Sequence, residues 1–115
     1  MALEQKNGST ISADNILSEM IKRLVAEFHP DKIYLFGSRA AGTANEDSDY
    51  DILVVMPELK EVGRKFAARA YELLSDLEAA KDILFTSREK FEQRKTVMNT
   101  LAEIATTDGI ELYAA

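Results

Sequence analysis

The sequence lacks cysteine altogether, and its 115 residues include a single histidine. The absence of cysteine excludes a disulfide-stabilised scaffold, a thiolate zinc site and a cysteine nucleophile. One histidine excludes a metal site built from several imidazoles. A chain without cysteine is also compatible with a reducing cytoplasm, which is the location that we expect.

Positive charge is in deficit, and long apolar runs are missing. Lysine and arginine total 14 against 20 acidic residues, which gives a net charge of −6. Because nucleic-acid binding depends on many phosphate contacts from lysine and arginine, we expect no direct binding of nucleic acid. No apolar run approaches the length of a membrane span, and residues 1–12 are too polar for a secretory signal. We therefore expect no membrane partner.

The residues that are present are typical of one globular domain. Hydrophobic residues make up 46% of the chain and charged residues 30%. A domain of this length buries enough surface for a single hydrophobic core. The polar stretch at the start predicts a flexible N-terminal tail over residues 1–11, followed by a folded domain over residues 12–115.

Three helices are predicted from apolar residues at helical spacing. The first runs from Ile16 to Phe28, with Ser12 as its N-cap and a stop before Pro30. The second covers Leu59 to Leu77. The third is a long helix from Phe91 to Ala105, which follows a capping box at Thr86-Ser87-Arg88-Glu89.

Four short segments rich in β-branched and aromatic residues predict strands. They are Lys32–Phe36, Tyr50–Met56, Ala80–Thr86 and Ile110–Tyr113. Because these strands alternate with the helices, the predicted fold class is α/β, a β-sheet covered by helices.

Two aspartates at the start of the second predicted strand interrupt its apolar pattern. Asp49 and Asp51 are two residues apart, so their side chains point to the same face. Two carboxylates on one face repel each other unless a cation offsets their charge. Mg²⁺ commonly binds through one or two carboxylates together with substrate phosphates. The pair therefore indicates a candidate metal site, although a solvated start of a strand would have the same spacing.

Asp82 strengthens the metal hypothesis. It begins the third predicted strand, although aspartate is rare in strands. If the second and third strands are neighbours, Asp82 faces the same site as Asp49 and Asp51. Three such carboxylates would bind two metal ions, which clamp the attacking and leaving oxygens of a displacement at phosphorus. The alternative is that Asp82 pairs with a nearby lysine or arginine.

A glycine–serine turn closes the first predicted strand just before the acidic strand. Gly37 allows the backbone to approach a ligand closely, and the hydroxyl of Ser38 adds a hydrogen-bond donor. The backbone N–H groups that follow would face a phosphate. Arg39 would hold a phosphate or pair with an acid of the site. An ordinary turn has the same dipeptide, so the indication of a phosphate site comes from the position of Gly37-Ser38 just before the acidic strand.

Together these segments resemble the nucleotidyltransferase superfamily related to DNA polymerase β. The signature is Gly37-Ser38, ten intervening residues, and Asp49-x-Asp51. The flanking residues are similar to the minimal nucleotidyltransferase (MNT) branch, and the resemblance extends from Ile16 to Tyr113. It implies the nucleotidyltransferase fold, with a small mixed β-sheet flanked by helices. Ala41 departs from the arginine that is frequent at this position, which removes one phosphate or partner contact.

The resemblance also implies a role for each residue of the signature. Asp49, Asp51 and Asp82 would be the catalytic residues and would hold two Mg²⁺ ions. Asp82 would in addition help to activate the attacking hydroxyl. Gly37, Ser38 and Arg39 would bind the nucleotide, with ATP as the substrate. A hydroxyl would attack the α-phosphorus, and pyrophosphate would leave.

The resemblance further implies a partner and leaves three functions open. MNT proteins of this length are typically encoded beside a HEPN-domain toxin, so the expected activity is transfer of AMP from ATP to a tyrosine hydroxyl of that toxin. One alternative is an antitoxin that only binds its partner, without catalysis. In either case the protein could form a homodimer or a hetero-oligomer. Another is a small-molecule nucleotidyltransferase of the aminoglycoside type, which the lack of an acceptor domain disfavours.

Overall fold

Four strands form one mixed sheet in the computed structural model of the protein, which describes residues 13–59 and 63–115. The strands are β1 (Lys32–Phe36), β2 (Tyr50–Met56), β3 (Lys81–Ser87) and β4 (Ile110–Ala114). Their order in the sheet is β3-β2-β1-β4. β1 is antiparallel to both of its neighbours, whereas β2 and β3 are parallel. The predicted α/β fold with a small mixed sheet is thus confirmed.

Five helices flank the sheet in the described part of the chain. They are α1 (Ala13–Phe28), α2 (Ser38–Ala41), α3 (Gly63–Leu73), α4 (Arg88–Arg94) and α5 (Leu101–Asp108). None of them is long and apolar enough to cross a membrane. The predicted tail over residues 1–11 and the predicted N-cap Ser12 lie outside the described residues.

The two faces of the sheet carry separate clusters of buried side chains. On one face, Ile52 and Ile83 pack with Met20 of α1 and Ala70 of α3. On the other face, Tyr34, Leu53 and Val55 pack with residues of α4 and α5, namely Phe91, Ala102 and Ala105. Because side chains alternate along a strand, Asp51 shares the second face with Leu53.

Helix α1 ends where the sequence predicts. Phe28 is its last residue, and His29 adopts a left-handed conformation with φ 52°. The N–H of His29 donates to the carbonyl of Val25 at 3.0 Å, which satisfies one of the free carbonyls at the helix end. Pro30 then prevents the helix from continuing.

The single long helix predicted from Phe91 to Ala105 is wrong, because the chain turns between α4 and α5. Asn99 has a positive φ of 68°. The hydroxyl of Thr100 caps α5 by accepting from the N–H of Glu103 at 3.2 Å. The single hydrogen of this hydroxyl is shared between the carbonyls of Arg94 and Val97, each 2.8 Å away. Thr100-x-x-Glu103 is itself a capping pattern, so the sequence contains the signal for a second helix start.

The N-cap of α4 also differs by one residue from the prediction. Ser87 is the cap, and its hydroxyl accepts from the N–H of Lys90 at 3.2 Å. The predicted box assigned this place to Thr86, which instead lies within β3.

Candidate active site

The register of the two parallel strands brings two acidic side chains side by side. Asp51 of β2 lies directly opposite Asp82 of β3, and the next pair on the same face is Leu53 with Leu84. β2 and β3 are therefore neighbours, which is the condition for Asp82 to face the same site as Asp51. Both aspartates sit at the starts of their strands, at the end of the sheet where β1 finishes in Phe36.

The carboxyl group of Asp51 interacts electrostatically with both Asp82 and Asp49. Its partial burial raises its pKa above the ordinary value, and the charges of Asp82 and Asp49 raise it further. Asp49 itself is exposed and lies one residue before β2. The charges of Asp82 and Asp49 thus act on Asp51 in addition to its burial, and a bound cation would offset them.

We expect Asp51→Asn to stabilise the ligand-free protein at neutral pH. Since the pKa of Asp51 is raised on folding, the folded state holds its proton more tightly than the unfolded state does. This group therefore destabilises the fold increasingly as the pH rises from the unfolded-state pKa to the folded-state pKa. The gain from Asp51→Asn should be complete above the folded-state pKa and disappear at acid pH. Urea unfolding without metal, at a series of pH values, measures it.

Asp31 provides the control of opposite sign. The guanidinium of Arg88 hydrogen-bonds to Asp31 and holds the pKa of this carboxyl below its ordinary value. Asp31→Asn should therefore lower stability at neutral pH, and the loss should shrink as the pH falls through the folded-state pKa. Equal destabilisation by both substitutions would contradict the assigned repulsion at Asp51.

The glycine of the Gly-Ser turn lies against the Asp51 carboxylate. Gly37 has φ 76° and ψ −157°, a backbone region used almost only by glycine. A Cβ at this position would overlap Oδ2 of Asp51 and lie 3.1 Å from its Cγ. Glycine is therefore required here both by the backbone conformation and by the close approach of the carboxylate.

Ser38 and Arg39 begin the short helix α2 directly after this turn. The carbonyl of Ser38 accepts from the N–H groups of Gly42 and Thr43, which closes the turn after α2. The guanidinium of Arg39 donates to the carbonyl of Ser48 at 2.8 Å and lies 4.0 Å from the ring centre of Tyr50. Arg39 thus ties α2 to the segment that carries Asp49. Its predicted contact with nucleotide stays a prediction.

Tyr71 contacts the site, although the sequence gives no indication of this role. Its hydroxyl accepts from the N–H of Ile83 at 2.9 Å and lies 3.3 Å from Oδ1 of Asp82, to which it donates. The ring belongs to α3 and reaches the edge of the sheet at β3. Its spacing in α3 offered no signal, because only the pairing of α3 with β3 brings the hydroxyl to Asp82.

The chemistry of the donor set fits a divalent cation. Asp49, Asp51 and Asp82 offer hard oxygen ligands, and their mutual repulsion is the kind that Mg²⁺ relieves. In residues 13–59 and 63–115, however, no three acidic, histidine or cysteine side chains are already close enough together to hold a metal ion. One carboxylate oxygen of Asp82 instead accepts a hydrogen bond from the hydroxyl of Tyr71.

A comparison with protein families identifies the fold and the class of reaction. The family described as "Nucleotidyltransferase domain" matches residues 17–105, which is most of the chain. This chain belongs to the nucleotidyltransferase domain family. It is therefore a nucleotidyltransferase, and the resemblance of the chain to that superfamily is confirmed. Comparison with curated protein sequences gave no match.

Solved structures share this nucleotidyltransferase fold. A tyrosine-to-alanine mutant of the toxin–antitoxin MntA–HpeT is 25% identical with a TM-score of 0.62, over 86% of this chain and 72% of that one. A toxin–antitoxin structure with AMP-PNP is 29% identical with a TM-score of 0.57, over 84% and 73% of the two chains. A Sulfolobus solfataricus protein named as a candidate nucleotidyltransferase is 20% identical with a TM-score of 0.57, over 86% and 78%, and shows the fold alone.

Proposed function

We propose that this nucleotidyltransferase transfers AMP from ATP to a hydroxyl of a partner toxin and so acts as an antitoxin. The observation that carries the proposal is the Asp51–Asp82 pair beside the Gly37 turn. A toxin–antitoxin neighbour whose structure contains the ATP analogue AMP-PNP supports the choice of nucleotide. The resemblance to the MNT branch supports a HEPN-domain toxin as the partner and a tyrosine as the acceptor.

The Gly37 turn is assigned to the triphosphate. The turn follows β1 and touches Asp51, so a nucleotide held there lies beside the carboxylates. Backbone N–H groups after Gly37 and the hydroxyl of Ser38 would donate to the β- and γ-phosphates. Arg39 would support this turn through its bonds to Ser48 and would place its charge close to the phosphates.

Asp49, Asp51 and Asp82 are assigned to two Mg²⁺ ions. Bound there, the ions would neutralise the charge that develops on the phosphoryl group. Asp82 has a second task, since one of its oxygens would accept the proton of the attacking hydroxyl. The oxygen of that hydroxyl forms a bond to the α-phosphorus, the bond between the α-phosphorus and its bridging oxygen breaks, and pyrophosphate leaves.

The intact mass of the partner tests this proposal. The HEPN-domain toxin proposed as the partner is expressed with the wild-type protein and, in parallel, with the Asp49→Asn/Asp51→Asn variant. We expect the toxin mass to rise by one or more AMP groups with the wild type and to stay unchanged with the variant. Peptide mass spectrometry then locates the modified hydroxyl.

Two results would reject the proposal in different ways. Neutralisation of an unmodified toxin by the wild-type protein would favour an antitoxin that only binds. A modified toxin in the presence of the double variant would show that the nucleotide reacts at another site.

A further inference from the structure

A cavity of about 310 Å³ opens on the same face of the sheet as the aspartates. Its floor includes Leu53 and Leu84, which lie opposite each other in the β2–β3 register. Each is two residues beyond Asp51 or Asp82, a distance of about 6.6 Å along a strand. Leu84 remains 37% exposed, although it lies in the middle of β3.

Two basic side chains from α4 border this cavity. Lys90 and Arg94 are four residues apart and so lie on one side of the helix. In the described ranges neither side chain forms a hydrogen bond or an ion pair, whereas the guanidinium groups of Arg23, Arg69 and Arg88 are each paired with a carboxylate. Lys90 and Arg94 therefore form a local patch of positive charge in a chain whose net charge is −6.

The lining of the cavity continues into an apolar turn. Thr100 and Leu101 line the cavity, and they follow the turn between α4 and α5. That turn exposes Val97 by 51% and Met98 by 79%. The cavity thus combines an apolar floor, a basic border and an adjoining exposed apolar turn.

The geometry of phosphoryl transfer indicates which of the two substrates would approach the α-phosphorus from the side of the cavity. In an in-line displacement, the attacking and leaving oxygens are on opposite sides of the phosphorus. The Gly37 turn follows β1, whereas the cavity lies on β2 and β3, on the other side of Asp51. If pyrophosphate leaves towards Gly37, the attacking hydroxyl comes from the Asp82 side, where the cavity is.

We propose that this cavity binds the acceptor protein beside its reactive hydroxyl. An apolar side chain of the acceptor packs on Leu84, the exposed residue of the floor, and an acidic side chain pairs with Lys90 and Arg94. The acceptor segment is therefore one in which the modified residue is near an apolar and an acidic residue. This inference rests on the proposed function, which supplies the acceptor as a protein.

A charge reversal at the border of the cavity tests this inference. The Lys90→Glu/Arg94→Glu variant and the wild type are compared in steady-state AMP transfer to the purified toxin proposed as the partner. We expect the KM for the toxin to rise about tenfold or more, because like charges would then face the acceptor. The KM for ATP should stay unchanged, and so should the gain in melting temperature on adding Mg²⁺ and ATP.

Two further variants separate the role of the cavity from general effects. Arg64→Glu/Lys65→Glu makes the same change of net charge on exposed residues of α3, outside the cavity lining, and should leave the KM for the toxin unaltered. Lys90→Gln/Arg94→Gln removes the two charges with less disturbance of the C-terminal end of α4, and should give an intermediate rise.

The possible results discriminate between this inference and the proposed function. An equal rise in the α3 control, or a rise in the KM for ATP alone, would overturn the assignment of the cavity to the acceptor. If the wild type binds the toxin without transferring AMP, the proposed function fails. In that case, the affinities of the variants for the toxin, measured by calorimetry, test whether the cavity binds the acceptor. Unchanged affinity of Lys90→Glu/Arg94→Glu would overturn this assignment. A wild type that neither binds nor modifies the toxin overturns both.

Discussion

Asp82→Asn is expected to lower the rate of AMP transfer by about a hundredfold or more. The substitution keeps the shape of the side chain but removes a metal ligand and the proton acceptor of the proposed site. Losing one electrostatic contact that acts in the transition state typically costs two to three orders of magnitude. Transfer of radiolabelled AMP from ATP to the toxin measures the loss.

Association with the toxin should survive Asp82→Asn, so the same preparation is also tested by co-purification. Tyr71→Phe is the matched variant, because it removes only the hydroxyl that contacts Asp82 and keeps the charge. It should reduce transfer much less than Asp82→Asn does. A variant at Asp82 that neutralises the toxin fully while transferring nothing would favour the antitoxin that only binds. Transfer at the wild-type rate would refute the role given to Asp82.

Gly37→Ala is expected to abolish most of the transfer activity and to destabilise the fold. A methyl group at this position overlaps the Asp51 carboxylate and also forces alanine into a backbone region that costs about 1–3 kcal/mol. Either the turn or Asp51 must move, and both belong to the proposed site. Thermal unfolding and transfer of labelled AMP, measured on one preparation, report the two effects.

Gly42 provides the control for Gly37, because it also has a positive φ of 79° but has open space where a Cβ would lie. Gly42→Ala should cost only about 1–2 kcal/mol, as expected for a left-handed alanine. In Gly37→Ala/Asp51→Ala the overlapping carboxylate is gone, so this variant should lose less stability than the sum of its two single changes. Strict additivity would show that the contact with Asp51 is unimportant.

The fold class was predictable because it depends on local patterns. Apolar spacing identified α1, and Pro30 identified its end. Four β-branched and aromatic segments corresponded to the four strands. The helix predicted from Phe91 to Ala105 failed because apolar spacing continues through Val97 and Met98, although both are exposed in a turn. A periodic pattern does not distinguish buried residues from exposed ones.

The candidate site was predictable as a set of residues but not as an arrangement. Alternation along a strand gives the face of Asp51, but it does not say which strand lies beside β2 or in what register. That Asp82 is opposite Asp51, and that Tyr71 reaches Asp82, follow from the pairing of distant segments. The sequence by itself determined helix α1, the four strands and the residue types available for chemistry. Only the tertiary structure decided the close approach of Gly37 to Asp51 and the cavity beside α4, because both depend on how separate elements pack.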